Sequence, residues 1–208
     1  MQCADDTVIL MDLNDQTVTK RKFLCKVGVL PMTYMGFPIS DRHLGASSFP
    51  GIVDKMWKKL SRCKGKKSIF KGRLVLTNSS LSSIPIYTLG MFKLREEVHH
   101  KVDTIRLQFF WRGASDKFKY HMIKWEQLCV PKYHGGVGII NTRILNDALL
   151  LKWVWKMLED KIEDLCSQLL KAKYCKNKPF VTSKGNTGSQ FWKGVPAVRY
   201  KINFGLTK

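Results

Sequence analysis

The chain has 208 residues, 44% of them hydrophobic and 25% charged, which suits a globular protein with a real core. No apolar run approaches the roughly 18 residues of a membrane helix, and Met1 opens no signal-peptide pattern, so a nuclear or cytoplasmic location, not a secreted or membrane one, is expected. Lys+Arg number 36 against 16 Asp+Glu, a net charge of +20, and such an excess makes sense mainly beside a polyanion: nucleic acid first, an anionic membrane surface second.

The charge is uneven. Residues 1–19 hold Asp5, Asp6, Asp12 and Asp15 and no Lys or Arg, whereas nine Lys/Arg and no acid follow Asp164. The six cysteines form no C-x-x-C pair and read as reduced, mostly buried thiols.

In chain order, Thr7–Met11 is a β-prone run directly after Ala4-Asp5-Asp6, with a partner strand expected near Gln16–Thr19. Leu30–Ile39 reads as irregular, punctuated by Pro31, Gly36 and Pro38. Pro50 and Gly51 open a helix whose Val53, Met56, Trp57, Leu60 and Cys63 recur at helical spacing, with Gly65 as its stop. A second helix is predicted over 74–87, with Leu74, Asn78, Leu81 and Pro85 inward. A third covers 96–111, with Val98, Val102, Ile105 and Phe109 inward.

Residues 114–140 are irregular and must turn at His134-Gly135-Gly136. Asn141 or Thr142 caps a fourth helix, apolar nearly all round up to Leu158 and therefore central. A fifth spans 162–173, with Ile162, Leu165, Leu169 and Leu170 inward. Phe191-Trp192 begin a last helix after the Ser183–Ser189 loop, poorly anchored if the chain simply ends beyond it. The tryptophans read as core residues.

Between Asp54 and Arg73 stand nine cations: Lys55, Lys58, Lys59, Arg62, Lys64, Lys66, Lys67, Lys71 and Arg73. Lys64-Gly65-Lys66-Lys67 puts charge on a turn between two helices. A solvated face is the plain reading; contact with a nucleic-acid backbone, which positions without reading sequence, is the functional one. Gly135-Gly136-x-Gly138 lacks the Gly-Lys-Ser/Thr of a phosphate-cradling loop and reads as a turn. The His and Cys spacings fit no zinc-finger class, so no zinc site is expected.

Three ordered stretches carry a resemblance: Ala4-Asp5-Asp6-Thr7 before an apolar strand; Leu30-Pro31-x-x-Tyr34-x-Gly36; and Lys124-Trp125-x-x-Leu128-Cys129-x-Pro131-Lys132-x-x-Gly135-Gly136-x-Gly138-Ile139-x-Asn141. Together with Leu81–Tyr87 and Ser189–Gly194, they resemble the reverse transcriptase of plant LINE-type (non-LTR) retrotransposons over essentially the whole chain. The resemblance implies an α+β fold, predominantly α: a palm remnant with the Asp-Asp hairpin (1–40), a thumb-like helical bundle (41–112) and connector helices (113–208).

It implies Asp5 and Asp6 as catalytic, Mg²⁺-binding carboxylates, since nucleotidyl transfer uses two hard cations held by oxygen ligands. Cys3 stands where the family has an aromatic. It also implies a polymerase that uses dNTPs and grips an RNA/DNA duplex by its backbone. The family's fingers, third metal-binding Asp, zinc-binding domain and RNase H domain have no counterpart in these 208 residues. The stretch near Thr19–Phe23 resembles a deletion junction. A fragment inactive by itself, with residual non-specific nucleic-acid binding, is therefore expected. The alternatives are a domesticated, non-catalytic nucleic-acid-binding module and a non-functional pseudogene product.

Overall fold

Short links favour antiparallel pairing, and the first contacts in the chain follow that rule. The computed structural model describes residues 2–3, 6–7, 28–34, 36–40, 45, 49–63, 69–112, 123–159, 164–176, 179–182 and 188–205. The chain divides into two units, Met1–Arg42 and His43–Lys208.

In the first unit β1 (Gln2–Cys3) pairs with β2 (Asp6–Thr7), Gln2 opposite Thr7 and Cys3 opposite Asp6. This antiparallel hairpin lies upstream of the strands expected at 7–11 and 16–19; residues 8–27 lie outside the described residues. A second hairpin replaces the irregular segment expected at 30–39. Met32–Tyr34 (β3) pairs with Phe37–Ile39 (β4). Gly36 at φ 80° supplies the left-handed conformation of its tight turn, and a two-stranded edge tolerates Pro38, which has no N–H to give.

The second unit is helical. Helix α1 (Pro50–Cys63) has the predicted limits. Proline suits its first position because its missing N–H would be unpaired there anyway. Ile52, Met56 and Leu60 recur every four residues and are buried. The helix predicted over 74–87 is broken instead. Helix α2 (Phe70–Leu76) runs into a π-turn at Thr77–Leu81, and a separate short helix α3 covers Ile86–Leu89. Ser79, Ser82 and Ser83 turn their hydroxyls back onto the carbonyls of Val75, Thr77 and Ser80 at 2.7–2.9 Å, a competition that loosens helices, and Pro85 ends the run. The predicted inward face holds: Leu81 and Pro85 are buried, Leu74 and Asn78 half-buried.

Helix α4 (Glu96–Arg112) buries Val98, Val102, Ile105 and Phe109 as predicted. With α1, Leu81, Leu89 and Leu94 they form the first apolar cluster. Helix α5 (Trp125–Leu128) and a 3₁₀ turn at Lys132–His134 follow. Phe110, Leu128 and Ile139 form a small second cluster against Leu74, Trp111 and Trp125.

Helix α6 (Thr142–Leu158) is capped by Asn141, whose side chain accepts from Arg143 N at 3.0 Å. Its Leu145 and Leu149 pack on the first cluster, while Leu150, Val154 and Met157 belong to a third. It is central but not sheathed: Ala148 and Trp155 face solvent. Of the other tryptophans Trp192 is buried, and Trp57, at 44% exposure, is not a core residue.

Helix α7 (Leu165–Leu170) is rotated from expectation. Leu165 and Leu169 are exposed, whereas Ser167 and Cys175 are buried and Leu170 and Tyr174 half-buried. Tyr174 stacks on Trp192, ring centroids 4.4 Å apart and 8° from parallel, and that contact carries its face of the helical run inward. Ile162 lies outside the described residues.

The last helices are α8 (Gln190–Val198) and α9 (Tyr200–Gly205). Helix α8 is firmly anchored, contrary to expectation, because Trp192, Val195 and Val198 are buried in the third cluster. Gly194 lets it approach Lys93 so closely that a Cβ there would lie 3.1 Å from the Lys93 side chain and 3.2 Å from its backbone nitrogen. Among the cysteines described, Cys175 is buried, Cys129 half-buried and Cys166 exposed. Among the described residues no helix is long and apolar enough to cross a membrane.

Candidate nucleic-acid interface

An amphipathic helix that spends its apolar face on the core has only its other face for a partner. On α1 that face is cationic. Lys55, Lys58, Lys59 and Arg62 are exposed above the buried Ile52, Met56 and Leu60, beside exposed Asp54, Trp57 and Ser61. Among the described residues no carboxylate forms a salt bridge with these four cations. On α2 Lys71 is exposed. Arg73 is half-buried, with its guanidinium 6.0 Å from the Phe70 ring centre, so it is a packing residue as much as a surface charge. Lys64, Lys66 and Lys67 lie outside the described residues. Helix α1 therefore gathers four of the nine predicted cations on one face.

The carboxylates divide differently. Asp6 lies in β2 with its backbone opposite Cys3; Asp5 and both carboxyl groups lie outside what is described. Among the described residues there is no group of three His, Cys, Asp or Glu side chains that could hold a metal ion. The acids with visible partners are engaged by cations. Asp103 accepts from Arg106 Nη1 at 3.0 Å and from Arg143 Nη1 at 2.5 Å. Glu96 accepts from Arg143 Nε at 2.6 Å, and these bonds hold its carboxyl below the usual range. Arg106 has no solvent exposure. A charge so placed needs partners, and it finds Asp103, the Ile140 carbonyl at 2.6 Å and the Trp125 ring 5.2 Å away.

This pairing explains the long motif around residues 124–141. Arg106 and Asn78 hold its end: Asn78 donates to the Gly138 carbonyl at 2.9 Å and accepts from Ile140 N at 3.2 Å. Gly138 N and Ile139 N fold back to the Val130 and Leu128 carbonyls at 3.0 and 3.2 Å. Gly135 and Gly138 take φ of 83° and 75°, and a Cβ on Gly136 would lie 1.9 Å from the Val130 oxygen. The glycines thus build a turn, as expected, and not a phosphate cradle. Cys129 sits in this framework with its thiol pushed up to about 11 by burial, a poor nucleophile. His99 is buried and bonds Thr142 Oγ1 at 3.1 Å.

Sequence reasoning missed the surface this framework presents. Pro131, Lys132, Tyr133, His134 and Gly135 are all exposed, Tyr133 by 83%. The only sequence signal was the glycine spacing that frames them.

The chain is similar to a protein of Arabidopsis thaliana provisionally named a ribonuclease H protein, 28% identical over 162 residues, which cover 76% of this chain. The chain spans only 26% of that relative's length. It is also similar to an uncharacterized mitochondrial protein of Arabidopsis thaliana, 26% identical over 128 residues, covering 61% of this chain and 82% of the relative. No family model matches the chain, and no solved structure does.

Proposed function

We propose that this chain is a retroelement-derived segment whose helical unit holds nucleic-acid duplexes by their phosphate backbones without reading sequence. The observation that carries the reading is the exposed cationic face of α1, four charges with no carboxylate bridged to them among the described residues. The net charge of +20 and the similarity to a plant protein provisionally named a ribonuclease H protein support it. The finer reading is a piece of a non-LTR retrotransposon reverse transcriptase, and its support is the ordered set of motifs at 4–7, 30–36, 81–87, 124–141 and 189–194. Within that reading Asp5 and Asp6, hard oxygen donors adjacent in the sequence, are the residues that would hold Mg²⁺; the ion would supply charge stabilisation for nucleotidyl transfer. Residues 54–73 would serve a domesticated, non-catalytic binding module equally well.

The test is a salt titration of binding to a short DNA duplex. Affinity should fall steeply with ionic strength, with each lost phosphate contact lowering the slope by about 0.9. Reversing Lys55, Lys58 and Arg62 to Glu together should abolish binding at physiological salt while thermal unfolding shifts little, because all three are exposed. Affinity that ignores salt, or that survives the reversal, overturns the proposal.

A further inference from the structure

A turn that merely connects two helices has no need to be held from three sides. The Lys132–His134 turn is so held. Below it, Gly136 is locked against the Val130 carbonyl and Gly138 N bonds the same carbonyl at 3.0 Å. Asn78 clamps Gly138 and Ile140 in both directions, and the wholly buried Arg106 holds the Ile140 carbonyl. The Lys132 stem lies along Gly138, where a Cβ would come within 3.3 Å of its Cγ. What this framework lifts into solvent is a ring: Tyr133 is 83% exposed, with His134 4.4 Å away between ring centroids and tilted 52°. Lys132, next to it in the chain, is exposed, and so are Lys124 and Glu126 at the start of α5. The same small cluster of side chains that supports the turn includes Leu74 of α2, the helix that carries Lys71 and Arg73.

We propose that Tyr133 is a stacking platform for an unpaired nucleobase, with Lys132 beside it meeting that nucleotide's phosphate; this rests on the nucleic-acid reading above. An aromatic face pairs with any base, so the contact is indifferent to sequence, in keeping with the backbone grip of α1. Because the backbone that carries the ring is fixed, little more than side-chain rotation is lost when a base stacks on it. The ligand class is therefore a duplex with an adjoining single strand, and the turn distinguishes it from a blunt duplex.

The experiment compares binding, by fluorescence anisotropy, of a blunt DNA duplex and of the same duplex with a single-stranded overhang. The wild-type chain should prefer the overhang. Tyr133→Ala should weaken overhang binding about tenfold and leave blunt-duplex binding unchanged; Tyr133→Phe should keep the preference. A wild-type chain that binds the blunt duplex through α1 but gains nothing from the overhang overturns this proposal alone. So does a Tyr133→Ala variant that weakens both ligands alike or neither. If neither ligand binds, the nucleic-acid reading falls and this one with it.

Discussion

Gly135 and Gly136 are neighbours with different reasons to be glycine. Gly135 needs its left-handed φ of 83° but has open space where a Cβ would go, whereas Gly136 has no room, with the Val130 oxygen 1.9 Å from that position. Gly135→Ala should thus cost about 1 kcal/mol, the usual penalty of that conformation. Gly136→Ala should cost about 3 kcal/mol, because backbone and not a flexible side chain must give way. Thermal denaturation of the two variants checks the order, and equal losses would contradict it. The need for a turn at these residues is legible in the sequence; which glycine is indispensable is not, since that depends on Val130 arriving from six positions earlier. The cations of α1 are legible for the opposite reason: a helix period and a buried stripe settle which side chains face water, with no knowledge of the rest of the molecule.

Helix α6 shows what an element adds. Asn146 in its middle is completely buried. It accepts from Leu94 N at 3.0 Å and donates to the Leu89 and Phe92 carbonyls at 2.6 and 2.8 Å, tying the helix to the α3–α4 connection. Its neighbour Asp147 is taken by Lys93 and Lys201. Burial pushes that carboxyl up, but the hydrogen bonds from Lys201 and Lys93 outweigh it and hold the carboxyl low. Asn146→Ala removes all three bonds, two of them buried, from Leu94 N and to the Leu89 carbonyl, an expected loss of about 3 kcal/mol in urea unfolding; a loss under a third of that would show water replacing the amide. Periodicity places α1, α4 and α6 to within a residue or so of their ends. It misjudges which face of α7 is inward, because Leu165 and Leu169 satisfy the same period as Ser167, Leu170 and Tyr174. The choice between them is made by Trp192, some twenty residues away in sequence. The polar residues of α6 carry no such signal either: an Asn in an apolar helix announces a buried partner but not which one.

At the scale of the whole molecule, the high positive charge makes acid a natural stress, and His99 responds to it at mild pH. Burial first, and then the Arg143 guanidinium, hold the His99 imidazole below the ordinary histidine value of 6.5. The unfolded chain therefore binds that proton more readily than the folded one. The resulting stability is present above about 6.5, is lost as the pH falls through that value, and levels off below the folded value. Unfolding free energies measured from neutral to mildly acidic pH should decline, and His99→Gln should flatten the decline; an unchanged slope in the variant would assign the loss elsewhere. Asp147, held low, adds its own loss only below about 4. The division into Met1–Arg42 and His43–Lys208 means this acid response belongs to the second unit, where both groups reside. That unit has its own spine. Because α6 serves the first cluster through Leu145 and Leu149 and the third through Leu150, Val154 and Met157, one extra residue near its midpoint would swing everything beyond by about 100° and pull the two cores out of phase. A substitution along α6 is thus felt only where its own side chain packs or bonds, whereas a residue gained or lost near the midpoint displaces both cores at once.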